Sequence, residues 1–149
     1  MIITKSDTFR AFPCWDEPGL KATFSLTLIV PAHLTAISNM PEESITHIAG
    51  KNGGQMLKKV VFQKSPRMST YLLAWAIGEF DCVSGITEKG VTLRVFSPPG
   101  RAEQGMFALD VGKKALDFFN DFFQVPYPLP KMDMICITEF AMGAMENWG

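Results

Sequence analysis

The hydrophobic period of this chain changes once, at Ser97-Pro98-Pro99-Gly100, and that break limits what the sequence can fold into. Ahead of it, apolar residues recur at every second position. From Ala22 to Val30, Phe24, Leu26, Leu28 and Val30 share one face and Thr23, Ser25, Thr27 and Ile29 the other. This is the pattern of a half-buried strand, and Pro31 closes it. Lys59-Val60-Val61-Phe62-Gln63 follows the turn residues Asn52-Gly53-Gly54, so it reads as the second arm of a hairpin whose first arm is Thr46-His47-Ile48-Ala49. Thr70 to Phe80 is apolar on both sides as far as Gly78, as expected of a strand covered on two faces. Val91 to Phe96 alternates again. Short strands at about ten-residue spacing with Gly and Pro between them favour an antiparallel sheet or sandwich.

Behind the break the period is that of a helix. From Ala102 to Phe123, Ala108, Val111, Ala115, Phe118 or Phe119, and Phe122 recur at three- and four-residue steps. Asp110, Lys113, Lys114, Asp117 and Asp121 take the other side. Pro126, Pro128 and Pro130 end the helix, and Met132 to Thr138 alternates as one more strand. The expected fold class is α+β: a mainly antiparallel β saddle or sandwich over residues 1–99, then a helix and a strand opening a second domain over residues 100–149. Phe107, Phe118, Phe119, Phe122 and Phe123 crowd the one helix, and burying such a side chain contributes about 1.5–3 kcal/mol. The second segment is too short to cover them itself, so a partner surface is expected; a helix folded back over the sheet is the alternative.

Composition excludes several classes. With 47% hydrophobic and 19% charged residues the chain has the means to pack a core and is not a disordered segment. Fourteen basic against fifteen acidic side chains leave a net charge of −1, which offers nucleic acid no footprint. No apolar run approaches the roughly 18–20 residues of a membrane span, and Met1-Ile2-Ile3-Thr4-Lys5 lacks the pattern of a secretory leader. The reading is a soluble, non-secreted chain. Cys14, Cys82 and Cys136 are odd in number and far apart, so reduced, mostly buried thiols are expected. Core packing is the expected role of Trp15, Trp75 and Trp148.

No complete catalytic apparatus is present. Hydrolytic zinc sites use about three protein ligands, commonly two histidines four residues apart on a helix with a glutamate beside the first. Neither His33 nor His47 stands in such a pattern. A nucleophile elbow, a phosphate-cradling loop and a dinucleotide fingerprint are also missing. Two segments remain. Phe12-Pro13-Cys14-Trp15-Asp16-Glu17-Pro18 reads as a rigid turn packed on the sheet, fixed by its two prolines. In Glu139-Phe140-Ala141-Met142-Gly143-Ala144-Met145-Glu146-Asn147-Trp148-Gly149, small residues would let a peptide backbone approach closely, and a carboxylate beside them can accept hydrogen bonds from an ammonium group. An ordinary edge loop fits those residues as well.

Gly143-Ala144-Met145-Glu146-Asn147, together with Phe12 to Pro18, Lys21-Ala22-Thr23-Phe24, Met68-Ser69-Thr70-Tyr71-Leu72-Leu73-Ala74 and Tyr127-Pro128-Leu129-Pro130-Lys131, resembles the aminopeptidase N and puromycin-sensitive aminopeptidase family of zinc metallopeptidases. The likeness runs from about Asp7 to Gly149 and is nearest the cytosolic, puromycin-sensitive branch. It implies that residues 1–99 are the late part of an N-terminal β saddle domain. Residues 100–149 would then begin a thermolysin-like catalytic domain and end at its exopeptidase motif. Glu146 would hold the free α-amino group of a peptide substrate, with the backbone of Gly143, Ala144 and Met145 along its first residues and Asn147 in the same motif. Met142 and Phe140 are candidates for lining the first side-chain pocket.

The resemblance also implies what lies elsewhere. The family's zinc-binding His-Glu-x-x-His helix, its distal glutamate and its transition-state tyrosine all follow the exopeptidase motif. Zinc is therefore expected in the full-length enzyme and not on this chain, which carries no metal ligands and no complete catalytic set. Thr4 stands where relatives usually have Gln or Glu, and Asp7-Thr8-Phe9-Arg10 replaces Asp-Ala-Arg-Arg. Expected partners are a peptide with a free N-terminus and the remainder of the catalytic domain, in the cytoplasm. The chain is expected to be a piece of a metallo-aminopeptidase, cut at both ends, inactive and poorly soluble alone. A non-catalytic β-sheet interaction module or a gene remnant is the alternative.

Overall fold

Alternation sets the strands of the first half. The computed structural model describes residues 11–50, 54–137 and 144–149. From Phe24 to Val30 the side chains are turned inward and outward in strict turn, as their polarity requires. Only the later part belongs to a ladder: β1 spans Thr27–Pro31. The earlier part is held by an isolated bridge from Ala22 to Met68 and by Phe24 N–H donating to Ser65 Oγ at 2.9 Å. The hairpin forms, with arms β3 (Glu42–Ile48) and β4 (Leu57–Phe62) in antiparallel register, His47 opposite Lys58. Its turn residues Asn52 and Gly53 lie outside the described residues. β4 also pairs antiparallel with β1, giving the order β1-β4-β3. Val30, Val60 and Phe62 are buried beneath this sheet with Ala36.

β2 (Thr35–Ser38) pairs antiparallel with β5 (Trp75–Gly78). The strand expected from Thr70 to Phe80 is therefore half correct. Thr70–Leu72 is a 3-10 turn, closed by Leu72 N–H to Ser69 O and Leu73 N–H to Thr70 O. Burial on both sides was the right inference, since Thr70, Leu72, Leu73 and Ala76 are all buried. Burial does not distinguish a strand from a tight turn packed under a sheet. Met68, Leu72 and Leu73 form a small core with Phe12, Phe24, Tyr71 and Trp75. Ser69 Oγ donates to Pro18 O at 2.7 Å, so the proline-bounded segment is tied down near its end. Trp15, 76% exposed, and Trp148, also exposed, correct the expectation of core packing, which holds for Trp75.

In the second half, β6 (Asp81–Ile86) pairs antiparallel with β7 (Thr92–Ser97). β8 (Lys131–Ile135) lies parallel to β7 on its other side, Leu93 opposite Met132 and Val95 opposite Met134. Parallel neighbours need a crossover connection, and α1 (Met106–Phe123) supplies it after a 3-10 turn at Ala102–Gly105. Gln124 ends the helix in the left-handed region, φ 56°.

The helix packs on a different face from the one expected. Leu109, Leu116 and Asn120 are its buried residues, in line with Gly105 and Gly112. Both glycines are there for contact. A Cβ at Gly105 would stand 3.0 Å from Val83 Cγ2, and one at Gly112 would stand 3.1 Å from Leu93 Cδ2. Leu109 and Leu116 close a core with Val91, Leu93 and Val95. Of the stripe expected on the inner face, Ala108 does pack against this core, but Val111, Phe118, Phe119 and Phe122 are exposed, Phe122 by 66%, and Phe107 beside them by 80%. The helix thus has two apolar sides.

The chain packs as two units. One runs to Gly78 and includes Met145–Trp148; the other is Glu79–Ala144 with Gly149. Cys82 and Cys136 are exposed and Cys14 partly so, all three free, which corrects the expectation of mostly buried thiols. No helix among the described residues is long and apolar enough to cross a membrane.

Candidate functional site

Of the segment singled out by sequence, residues 144–149 are described; Gly143, with Met142 and Phe140, lies outside the described residues. Met145–Trp148 belongs to the β-rich unit. Within it, Glu146 and Trp148 are exposed and Met145 and Asn147 partly buried; Ala144, of the other unit, is exposed. The alternation has a plain cause. Asn147 Nδ2 donates to Leu72 O at 3.0 Å, and Asn39 Nδ2 donates to Trp148 O at 2.6 Å. Two successive residues are thereby held against the unit, which leaves the preceding carboxylate outward. Glu146 forms no hydrogen bond or ion pair with a described residue. A lysine or arginine seated on it would have used up the charge that an incoming cation needs.

Sequence reasoning missed Asn39. It lies in the bend Asn39-Met40 directly after β2 and before Pro41, a run with the composition of any turn. Only the fold makes it a buried amide, 4% exposed. Its Nδ2 also donates to Leu72 O at 2.8 Å, and its Oδ1 accepts from Ala74 N–H at 2.9 Å.

The other unit holds a buried charge cluster. Arg94 on β7 donates Nε to Asp133 Oδ1 at 2.7 Å and Nη2 to Oδ2 at 2.6 Å, a fork on a carboxylate 2% exposed. Lys131 Nζ reaches the same Oδ2 at 2.8 Å from the same strand as Asp133. Tyr127 O–H donates to Lys131 O at 3.2 Å, and burial pushes this phenol up to about 12. The cluster joins the parallel strands and reads as structural. Among the described residues no three of His, Cys, Asp and Glu stand close enough to hold a metal ion. His33 Nδ1 is engaged with Gln55 Nε2 at 3.2 Å. The described residues thus assemble no zinc site.

Against known families, residues 4–72 match the Peptidase M1 N-terminal domain and residues 107–149 the Peptidase family M1 domain. The chain belongs to peptidase family M1. Aminopeptidase M1 of Arabidopsis thaliana is 56% identical over 146 residues, which is 97% of this chain and 16% of the relative. Puromycin-sensitive aminopeptidase of Caenorhabditis elegans is 52% identical over 93% of this chain and 14% of its own length. Aminopeptidase N of Acetobacter pasteurianus is 44% identical over the whole chain and 41% of that protein. Against the first two, this M1 chain spans about a sixth of the relative's length.

Proposed function

We propose that this M1 chain carries the part of a zinc-dependent aminopeptidase that recognises the free N-terminus of a peptide. One observation carries the reading: the Glu146 carboxylate is exposed while Asn147 and Trp148 beside it are hydrogen-bonded to the unit. A carboxylate so presented accepts hydrogen bonds from an α-ammonium group, each worth about 1.5–3 kcal/mol. Gly143, Ala144 and Met145 offer backbone groups to the first peptide residues in the manner of an added strand. An acylated N-terminus would leave the carboxylate unpaired, which is how such a site selects chain ends.

Bond cleavage is assigned to polypeptide outside this chain, where the zinc ligands of the family resemblance would lie; zinc there would activate the attacking water. The boundary between saddle domain and catalytic domain is proposed near Pro99-Gly100, within residues 73–106 that neither family match covers, although the compact units divide earlier, at Gly78. The remainder of the catalytic domain is the natural cover for the outer phenylalanines of α1, since a helix apolar on both sides is ordinarily buried on both. The cytoplasm is the proposed compartment, by analogy with the puromycin-sensitive branch.

In an NMR titration, a dipeptide amide with a free amine should move the Glu146 side-chain carboxyl resonance. Its N-acetylated form should not. Glu146→Gln should weaken the free-amine peptide about ten- to a hundredfold, following the energy of a charge-assisted hydrogen bond. Binding should also fade as pH rises past about 8, where the α-amine loses its proton. Equal binding of the acetylated peptide sinks the reading. The isolated chain should hydrolyse no aminoacyl-amide reporter above background, with or without added zinc; zinc-dependent turnover by peptidase-free material would refute that.

A further inference from the structure

Glu146 can select an amine only if its backbone is held still, and the chain that carries it contacts the β-rich unit through few polar atoms. Among the described residues two side-chain hydrogen bonds tie it down, Asn147 to Leu72 O and Asn39 to Trp148 O, and Asn39 is itself fixed by two more. Its amide is fully used: Oδ1 accepts from Ala74 N–H, and Nδ2 donates to Leu72 O and to Trp148 O. The orientation follows from the partners, because a flipped amide would turn its oxygen toward two carbonyls. Leu72 O accepts a second donor, Asn147 Nδ2. The 3-10 turn at Thr70–Leu72 is what makes this carbonyl available, since in the expected strand it would have pointed along a ladder. Two asparagines thus converge on one oxygen, one from the bend after β2 and one from the segment that carries Glu146.

We propose that Asn39 is a positioning residue for the Glu146 carboxylate, holding Asn147 and Trp148 to the Leu72 turn so that the carboxylate is presented in one place. The inference rests on the amine-binding reading above and adds the residue that makes it geometrically exact enough to discriminate. Asparagine is required, not aspartate: a carboxylate can accept from Ala74 N–H but cannot donate to either carbonyl.

The test uses the whole chain with a dipeptide amide as probe. In Asn39→Asp, backbone 15N order parameters of residues 145–148 should fall from about 0.85 to below about 0.6, while the amides of the β2–β5 ladder keep their exchange protection. The ratio of free-amine to acetylated peptide affinity should drop about tenfold. That ratio is insensitive to a uniform loss of stability. If the buried carboxylate prevents folding, Asn39→Ala takes its place, with Asn147→Ala as the milder companion, because the bond to Trp148 O survives there. Unchanged order parameters at 145–148 in Asn39→Ala, or an unchanged affinity ratio once they have fallen, overturns the proposal. Should Glu146→Gln leave amine binding untouched in the native chain, the amine-binding reading fails instead. The order parameters would still report on the clamp.

Discussion

Replacing Asp133 by alanine is expected to destabilise the second unit by about 3–5 kcal/mol, the usual cost of removing one partner from a buried ion pair. Arg94 grips both oxygens of this carboxylate, and Lys131, itself 3% exposed, meets Oδ2. Lys131 is shut away from water, whereas the Arg94 side chain keeps 21% of its surface exposed, so the lysine bears most of the loss. Domains are commonly stable by only about 5–15 kcal/mol, so the loss is a large fraction of the whole. Urea unfolding followed at the amides of β7 and β8 measures it. Asp133→Asn should recover little, because an amide offers one acceptor where two cations need an anion. A shift under about 1 kcal/mol for Asp133→Ala would show that the cluster is not what fastens the parallel strands.

The second large effect concerns Leu93, which has no exposed surface. Leu93→Ala should cost about 2–5 kcal/mol, through lost burial and the cavity left under α1. Gly112 supplies a check with a change of sign. In the native chain, Gly112→Ala would press its new methyl against Leu93 Cδ2 at 3.1 Å and Met134 Cε at 3.0 Å, offsetting the helix propensity gained. With Leu93 already alanine, one of those atoms is gone, and Gly112→Ala should stabilise by about 1 kcal/mol. The thermal unfolding of the four proteins gives the coupling. A purely additive pair would mean that helix and sheet do not touch as closely here as the glycine row requires.

Much of the fold was legible because polarity alternates where one side of a strand is covered. Phe24, Leu26, Leu28 and Val30 turned inward as read, the hairpin formed, and the helix and the following strand are where the period changed. The helix face was misread for a physical reason. Counting apolar residues favours Phe118 and Phe122, whereas the sheet-facing row is built of Gly105, Leu109, Gly112 and Leu116, whose glycines contribute nothing to hydrophobicity and everything to close approach. The Thr70–Leu72 turn was invisible because its burial resembles a strand's. At the candidate site, Glu146 is singled out by type and neighbourhood, and the fold adds that it is exposed. Asn39 was not, since nothing local distinguishes a buried turn asparagine from an exposed one.

The bond between Asn39 and Trp148 has a bearing on the order in which the chain matures. Its two ends are 109 residues apart in sequence. Closing so long a loop from an unfolded chain costs about 4 kcal/mol in entropy, more than one hydrogen bond returns. The β2–β5 ladder and the Leu72 turn must therefore already be in place before the C-terminal segment can dock. During synthesis at about 5–20 residues per second, the N-terminal strands have several seconds to assemble before that segment is made. Docking of Met145–Trp148 accordingly follows formation of the β2–β5 ladder, and the docked segment opens before that ladder does.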